Sequence, residues 1–292
     1  MRQRGVNWLN NTPIPIRIFL CYNIILIAVI LIIDRSFTFA HLISYHIFLV
    51  FIYFWANKIY SETRSKYIKL LLMQSIIAIA AWLHFESGAL NVLMSYGFFD
   101  SQIKALDSFV FGQNPNQILF RYGNSFIDQI MHISYFSFYL ILFIPFTLIY
   151  LKNIEEGEYM LGGMIFTLFL CFLFFIFFPV IGPTADRVSL DMFSSNNGFI
   201  SIMNYIFSNY DNDGGAFPSS HVALSLVVVL FVRKYYDKLF HFYLINLILL
   251  SLSTIYCSYH YAIDVVMGYI VGLFVYLLYQ KCFNFSKQFS GE

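Results

Sequence analysis

An all-α, polytopic membrane bundle of about eight transmembrane helices is the fold class this sequence predicts, and three observations predict it. Hydrophobic residues make up 59% of the 292 and charged residues only 11%, where a soluble domain carries about 45–50% and about 25%. The apolar residues gather into runs of about 20, the length that crosses a bilayer as a helix. Lysine and arginine concentrate in every second gap between those runs, as a chain threaded back and forth requires.

The runs lie near 16–33, 37–57, 67–85, 129–150, 159–178, 220–235, 239–256 and 261–280. The first follows Arg2, Arg4 and Arg17 as a signal peptide would, but it is long for one and lacks a small-x-small cleavage site, so it is expected to stay as an anchor. With the N-terminus inside, thirteen of the 17 Lys and Arg residues face the cytoplasm and only Arg35, Lys104, Arg121 and Arg187 face out. An N-in, C-in topology follows. Both long gaps, 86–128 and 179–219, then lie on the outer side. Within the first, Ile103, Leu106 and Val110 recur at helical spacing, which predicts an amphipathic helix at the interface. Residues 1–85 are read as N-terminal transmembrane helices, 86–281 as a catalytic core and 282–292 as a cytoplasmic tail. Cys21, Cys171, Cys257 and Cys282 read as small apolar fillers rather than disulfide partners. Net charge is +1, and no nucleic-acid partner is expected.

Most of the seven histidines sit near helix ends or within spans with no reactive neighbour, including His41, His46, His84, His132 and His241. His260 and His221 differ. His260 opens the last run, and Asp264 follows four residues later, a spacing that puts both on one helix face. A carboxylate beside an imidazole fixes its tautomer and leaves the other ring nitrogen to react. An Asp inside a span is itself a functional signal. His221 stands in Pro218-Ser219-Ser220-His221, where Ser219 or Ser220 can cap the helix and Pro218 suits the turn before it. The free N–H groups of such a helix mouth suit a phosphate. Three other readings use some of these residues. A Ser220–His260–Asp264 hydrolase lacks the strand-to-helix elbow. A metal site from His221, His260 and Asp264 lacks supporting spacing. A transporter or channel would need polar groups at the midplane, whereas these gather at the outer face. No metal or cofactor is expected.

The two histidine motifs resemble those of the type 2 phosphatidic acid phosphatase and vanadium haloperoxidase superfamily. Pro218-Ser219-Ser220-His221 is similar to its Pro-Ser-Gly-His motif, and Ser253-Thr254-x5-His260-x3-Asp264 to its Ser-Arg-x5-His-x3-Asp motif. Thr254 replaces the arginine, and no Lys-x6-Arg-Pro motif is present. The branch that resembles inositol phosphorylceramide synthases shows similar losses. Two stretches resemble that branch: one with Asp107, Phe111, Gly112 and Pro115, the other with Pro179, Pro183 and Arg187. The resemblance implies His260 as nucleophile, Asp264 as its partner and His221 as general acid. Ser219, Ser220, Arg187 and Arg121 are the candidate phosphate ligands. The implied reaction passes a phosphoryl group from a membrane lipid phosphate through a phosphohistidine to water, or to a lipid or polyol acceptor. The distribution of Lys and Arg puts this site on the outer side, and the plasma membrane is the expected location.

Overall fold

The computed structural model describes residues 12–34, 38–94, 97–183, 198–210 and 212–290. Eleven α-helices are present among them: α1 (Ile14–Ile33), α2 (Ala40–Glu62), α3 (Lys66–Asn91), α4 (Asp100–Phe111), α5 (Pro115–Phe120), α6 (Ser125–Lys152), α7 (Ile154–Phe177), α8 (Phe199–Tyr210), α9 (Ser220–Tyr235), α10 (Asp237–Tyr256) and α11 (Ala262–Ser290). The only β-type pairing among the described residues is a single parallel bridge between Val180 and Gly215.

Seven of these helices are long and apolar enough to cross a membrane. The expected eighth, α9, is a helix but has only 16 residues. At 1.5 Å per residue that is about 24 Å, short of a hydrocarbon layer of about 30 Å. Its cap at Ser219 and its end at Tyr236 set the length. A full span is not required of α9, because α6, α7, α10 and α11 enclose it. The last helix runs to Ser290, and α3 continues to Asn91, so neither ends where its apolar run does.

Helix α7 is the hub. It packs against α1, α3, α6, α9 and α11, and its Gly157, Gly162 and Gly163 are all buried. The closest packing joins α9 to α11. A Cβ on Gly268 would stand 2.7 Å from the Ser219 carbonyl oxygen, and one on Gly272 would stand 2.6 Å from that of Ala223. Glycines four apart let membrane helices approach to backbone contact. Ser219 then donates its N–H to the carbonyl of Asp264 at 3.0 Å, so the two histidine motifs are joined through backbone. In Gly272→Val the helices must separate. Overpacking of this kind costs about 1–3 kcal/mol, sometimes more. A lower melting temperature for the purified variant is expected, and unchanged melting would contradict the packing.

The N-terminal helices are tied by polar side chains within the apolar layer. His46 on α2 contacts Asn23 Oδ1 on α1 at 2.8 Å and Glu86 Oε1 on α3 at 2.8 Å. All three are buried. Such a pair is dear to desolvate, so its clearest effect is to fix which helices meet.

The predicted interfacial helix is α4. Ile103 and Asp107 are buried, while Leu106, Phe109 and Val110 are exposed. The apolar outer face fits a membrane surface. The buried face holds the site together.

Candidate active site

Asp107 Oδ1 accepts the N–H of Ile263 at 2.8 Å and its carboxylate also that of Ala262. It therefore closes the open N-terminus of α11, where a negative charge is favoured. Burial pushes its carboxyl above the ordinary value, and these two donors pull it back. Asn116, fully buried on α5, donates from Nδ2 to the carbonyls of Ile255 at 2.7 Å and His260 at 2.9 Å. Asp100 at the start of α4 accepts the N–H groups of Ile181 and Gly182, each at 2.9 Å. Three side chains of the 100–120 segment thus hold the backbone around the histidines.

His260 lies in the turn between α10 and α11, which corrects its expected place on the helix. Ser258 takes a positive φ of 52°. The N–H groups of Tyr259 and His260 both return to the Thr254 carbonyl, at 2.9 and 3.1 Å. Thr254 is itself buried, its hydroxyl donating to Ser251 O at 2.8 Å. Asp264, the third residue of α11, accepts the Tyr261 N–H at 2.8 Å. Its Oδ2 stands 3.6 Å from His260 Nδ1. The shorter contact of that nitrogen is the carbonyl oxygen of Ala216, at 2.8 Å. A carbonyl can only accept. The proton of a neutral His260 is therefore on Nδ1, and Nε2 keeps its lone pair. Asp264 lies close behind, where it can stabilise positive charge on the ring.

Ala216 is positioned by the segment leading out of α7. Its N–H donates to Val180 O at 2.9 Å, and Val180 N–H donates to Gly214 O at 3.2 Å. Four residues after Ala216 the chain enters α9. Ser219 is the N-cap, accepting the Val222 N–H at 3.5 Å. Ser220 and His221 follow in the first turn, where N–H groups lack intrahelical partners. His221 Nε2 is 3.0 Å from the Tyr135 hydroxyl on α6. Its Nδ1 is buried without a hydrogen-bond partner among the described residues. The His221 and His260 rings stand 5.7 Å apart, centroid to centroid.

Both rings line one cavity of about 440 Å³. Ser220, Ala216, Tyr135 and Tyr259 border the same end, and so does His84. The rest of the wall is mostly apolar, from Ile77, Ala81, Phe136, Leu142, Phe143 and Phe172 among others. Of the predicted site residues, His260, His221 and Ser220 line the cavity. Asp264 lies behind His260 and is 0% exposed. Ser219 is equally buried and serves as the cap, outside the lining. Arg121, at the C-terminal end of α5, is exposed and does not reach the lining. Arg187 lies outside the described residues. Among the described residues no three His, Cys, Asp or Glu side chains are grouped to hold a metal ion.

Four groups at the site belong to no sequence motif: Tyr135, His84, Asn116 and the Ala216 carbonyl. His84 was visible only as a histidine near the end of a span. Asn116 stands next to Pro115 in the stretch that resembles one branch of the family, with nothing to single it out.

No curated protein and no solved structure matches the chain. A family model, the PAP2 superfamily, matches residues 101–278, more than half of the chain. Both histidine motifs fall within that stretch, as do Asp107 and Asn116. The chain belongs to the PAP2 superfamily, whose members are phosphoesterases or phosphotransferases.

Proposed function

We propose that the protein is an integral membrane lipid-phosphate phosphatase or phosphotransferase that works through a phosphohistidine on His260. The observation that carries this reading is the 2.8 Å contact from His260 Nδ1 to Ala216 O. It leaves Nε2 as a nucleophile on a ring that shares a cavity with His221. Nε2 attacks phosphorus, the ester P–O bond breaks, and His221 gives a proton to the leaving oxygen. In the second half, His221 takes a proton from water or another hydroxyl as it attacks the P–N bond, and His260 is released neutral. The first-turn N–H groups of α9 at Ser220 and His221 suit the phosphate oxygens. Arg187 is the favoured cation; Arg121 and Ser219 would each have to move to join in.

The apolar wall between α3 and α6 supports a substrate with acyl chains. An outward-facing site is supported by charge. The cavity lies toward the C-terminal ends of α3 and α7, against the middle of α6, and at the N-terminal end of α9 and the turn before α11. Lys66, Lys69, Lys152, Arg233, Lys234 and Lys281 lie at the opposite ends, the cytoplasmic side by the distribution of basic residues.

One experiment addresses substrate, acceptor and face. Intact cells expressing the protein receive a membrane-impermeant, short-chain lipid phosphate. Turnover is expected without permeabilisation. Free phosphate in the medium marks a phosphatase; label appearing in an acceptor lipid marks a transferase of the inositol phosphorylceramide synthase kind. Turnover seen only after permeabilisation would place the site on the other face, and none in either case would contradict the reading.

A further inference from the structure

We propose that His84 is a third histidine of the active site, donating an N–H hydrogen bond to a non-bridging oxygen of the substrate phosphate. This rests on the lipid-phosphate reading above and adds a substrate-binding residue to it. A phosphate carries about two negative charges near neutral pH, and it enters a cavity whose wall is mostly apolar. Among the described residues lining that cavity there is no lysine or arginine, and its imidazoles are those of His84, His221 and His260. Two of these have the transferred group to handle. His84 is the one left to hold it.

The fold places His84 with some care. Its ring sits between the rings of Phe172 and Phe175, at centroid distances of 5.6 and 5.7 Å. No hydrogen bond or ion pair engages its ring nitrogens among the described residues. Its backbone is pinned instead. The His84 carbonyl accepts from Asn212 Nδ2 at 2.5 Å and from Ser87 Oγ at 2.6 Å. Asn212 Nδ2 also reaches Ser87 Oγ at 2.9 Å, and Asn91 Nδ2 donates to Asp213 O at 2.7 Å. These bonds lash the end of α3 to the segment that supplies the Ala216 carbonyl and then His221. Gly215 completes the fit, since a Cβ there would come within 3.0 Å of His84 Cε1. An ionisable residue lodged among phenylalanines within a span is costly unless it serves a ligand or a partner. His84 lines the same cavity as His221 and His260, beside the Gly215-Ala216 backbone.

The assignment does not depend on Arg187. It is tested in the purified full-length protein with His84→Ala and His84→Gln, each checked for an unchanged melting temperature. Two inhibitors are compared: orthovanadate, which presents the oxyanion alone, and the dephosphorylated lipid product, which presents the apolar tail alone. A hydrogen bond to a charged group is worth about 10- to 100-fold in binding. His84→Ala is expected to weaken vanadate inhibition by that factor and to leave inhibition by the product lipid unchanged. His84→Gln, which keeps a side-chain N–H, is expected to recover part of the loss. Equal vanadate inhibition of wild type and His84→Ala overturns the inference. So does an equal weakening of both inhibitors, which is what a purely structural role would give, and so does a wild type insensitive to vanadate. Failure of the phosphohistidine reading shows separately, as turnover that survives His260→Ala.

Discussion

In His260→Ala, turnover of lipid phosphates and of activated aryl phosphates falls together to the uncatalysed level. The variant loses the atom that forms the bond to phosphorus, and no leaving group, however good, can replace a missing nucleophile. The fold should survive, because the turn around residue 260 is held by backbone and by Asn116, whose partners are the carbonyls of Ile255 and His260. The imidazole itself contributes one short bond, to Ala216 O. Asp264→Asn should do less harm. The Ala216 carbonyl still fixes the tautomer, and what is lost is the negative charge 3.6 Å from a ring that becomes cationic on phosphorylation. Steady-state rates on both substrate types, with circular dichroism as a check on folding, decide the matter. Aryl phosphate turnover persisting in His260→Ala would remove the nucleophile assignment.

His221→Ala gives a different pattern. With alkyl esters, whose alkoxide leaves only when protonated, the rate should drop by about 10²–10⁴-fold, the usual contribution of general acid–base catalysis. With an aryl phosphate, whose phenolate leaves unaided, the first half should recover much of that loss, read as a burst of phenolate, while breakdown of the phosphoenzyme stays slow for want of the base. Tyr135 shapes this role: its hydroxyl, 3.0 Å from His221 Nε2, orients the ring against α6. Tyr135→Phe should therefore reproduce the His221→Ala pattern in weaker form. If His221→Ala were as dead as His260→Ala on the aryl substrate, the division of labour between the two histidines would have no support.

The parts of this site that could be read from the sequence are those encoded locally. Apolar runs announce helices, and a Pro-Ser-Ser-His start announces a capped helix mouth; α9 begins where that motif says. Spacing misled in one place. A step of four positions from His260 to Asp264 suggests one helix face, but the positive φ at Ser258 and the double return to Thr254 O place the histidine in a turn before the helix. The two side chains still meet, by a different route. The partner that sets the tautomer is a backbone carbonyl, a group present at every residue and so invisible to any motif. His84, Tyr135 and Asn116 were missed for a related reason. Each comes from an element distant in sequence, and their meeting depends on how α3, α5 and α6 pack against the α9–α11 pair. Helix α9 reads as a span from composition alone, and only its enclosure by four neighbours explains why it is shorter than the bilayer.

The most direct measurement is to trap the covalent intermediate. Purified protein is mixed with a lipid phosphate radiolabelled at phosphorus, quenched in alkali within the first turnover, digested and mapped by mass spectrometry. The account predicts a phosphoryl group stable to alkali and labile to acid, as a phosphorus–nitrogen bond is, on the peptide containing His260. His221→Ala, slowed in deprotonating the second acceptor, should still form it from an aryl phosphate, and His260→Ala should show none. Label on Ser220, label on His221, or turnover with no protein-bound phosphate at any time point would contradict the account.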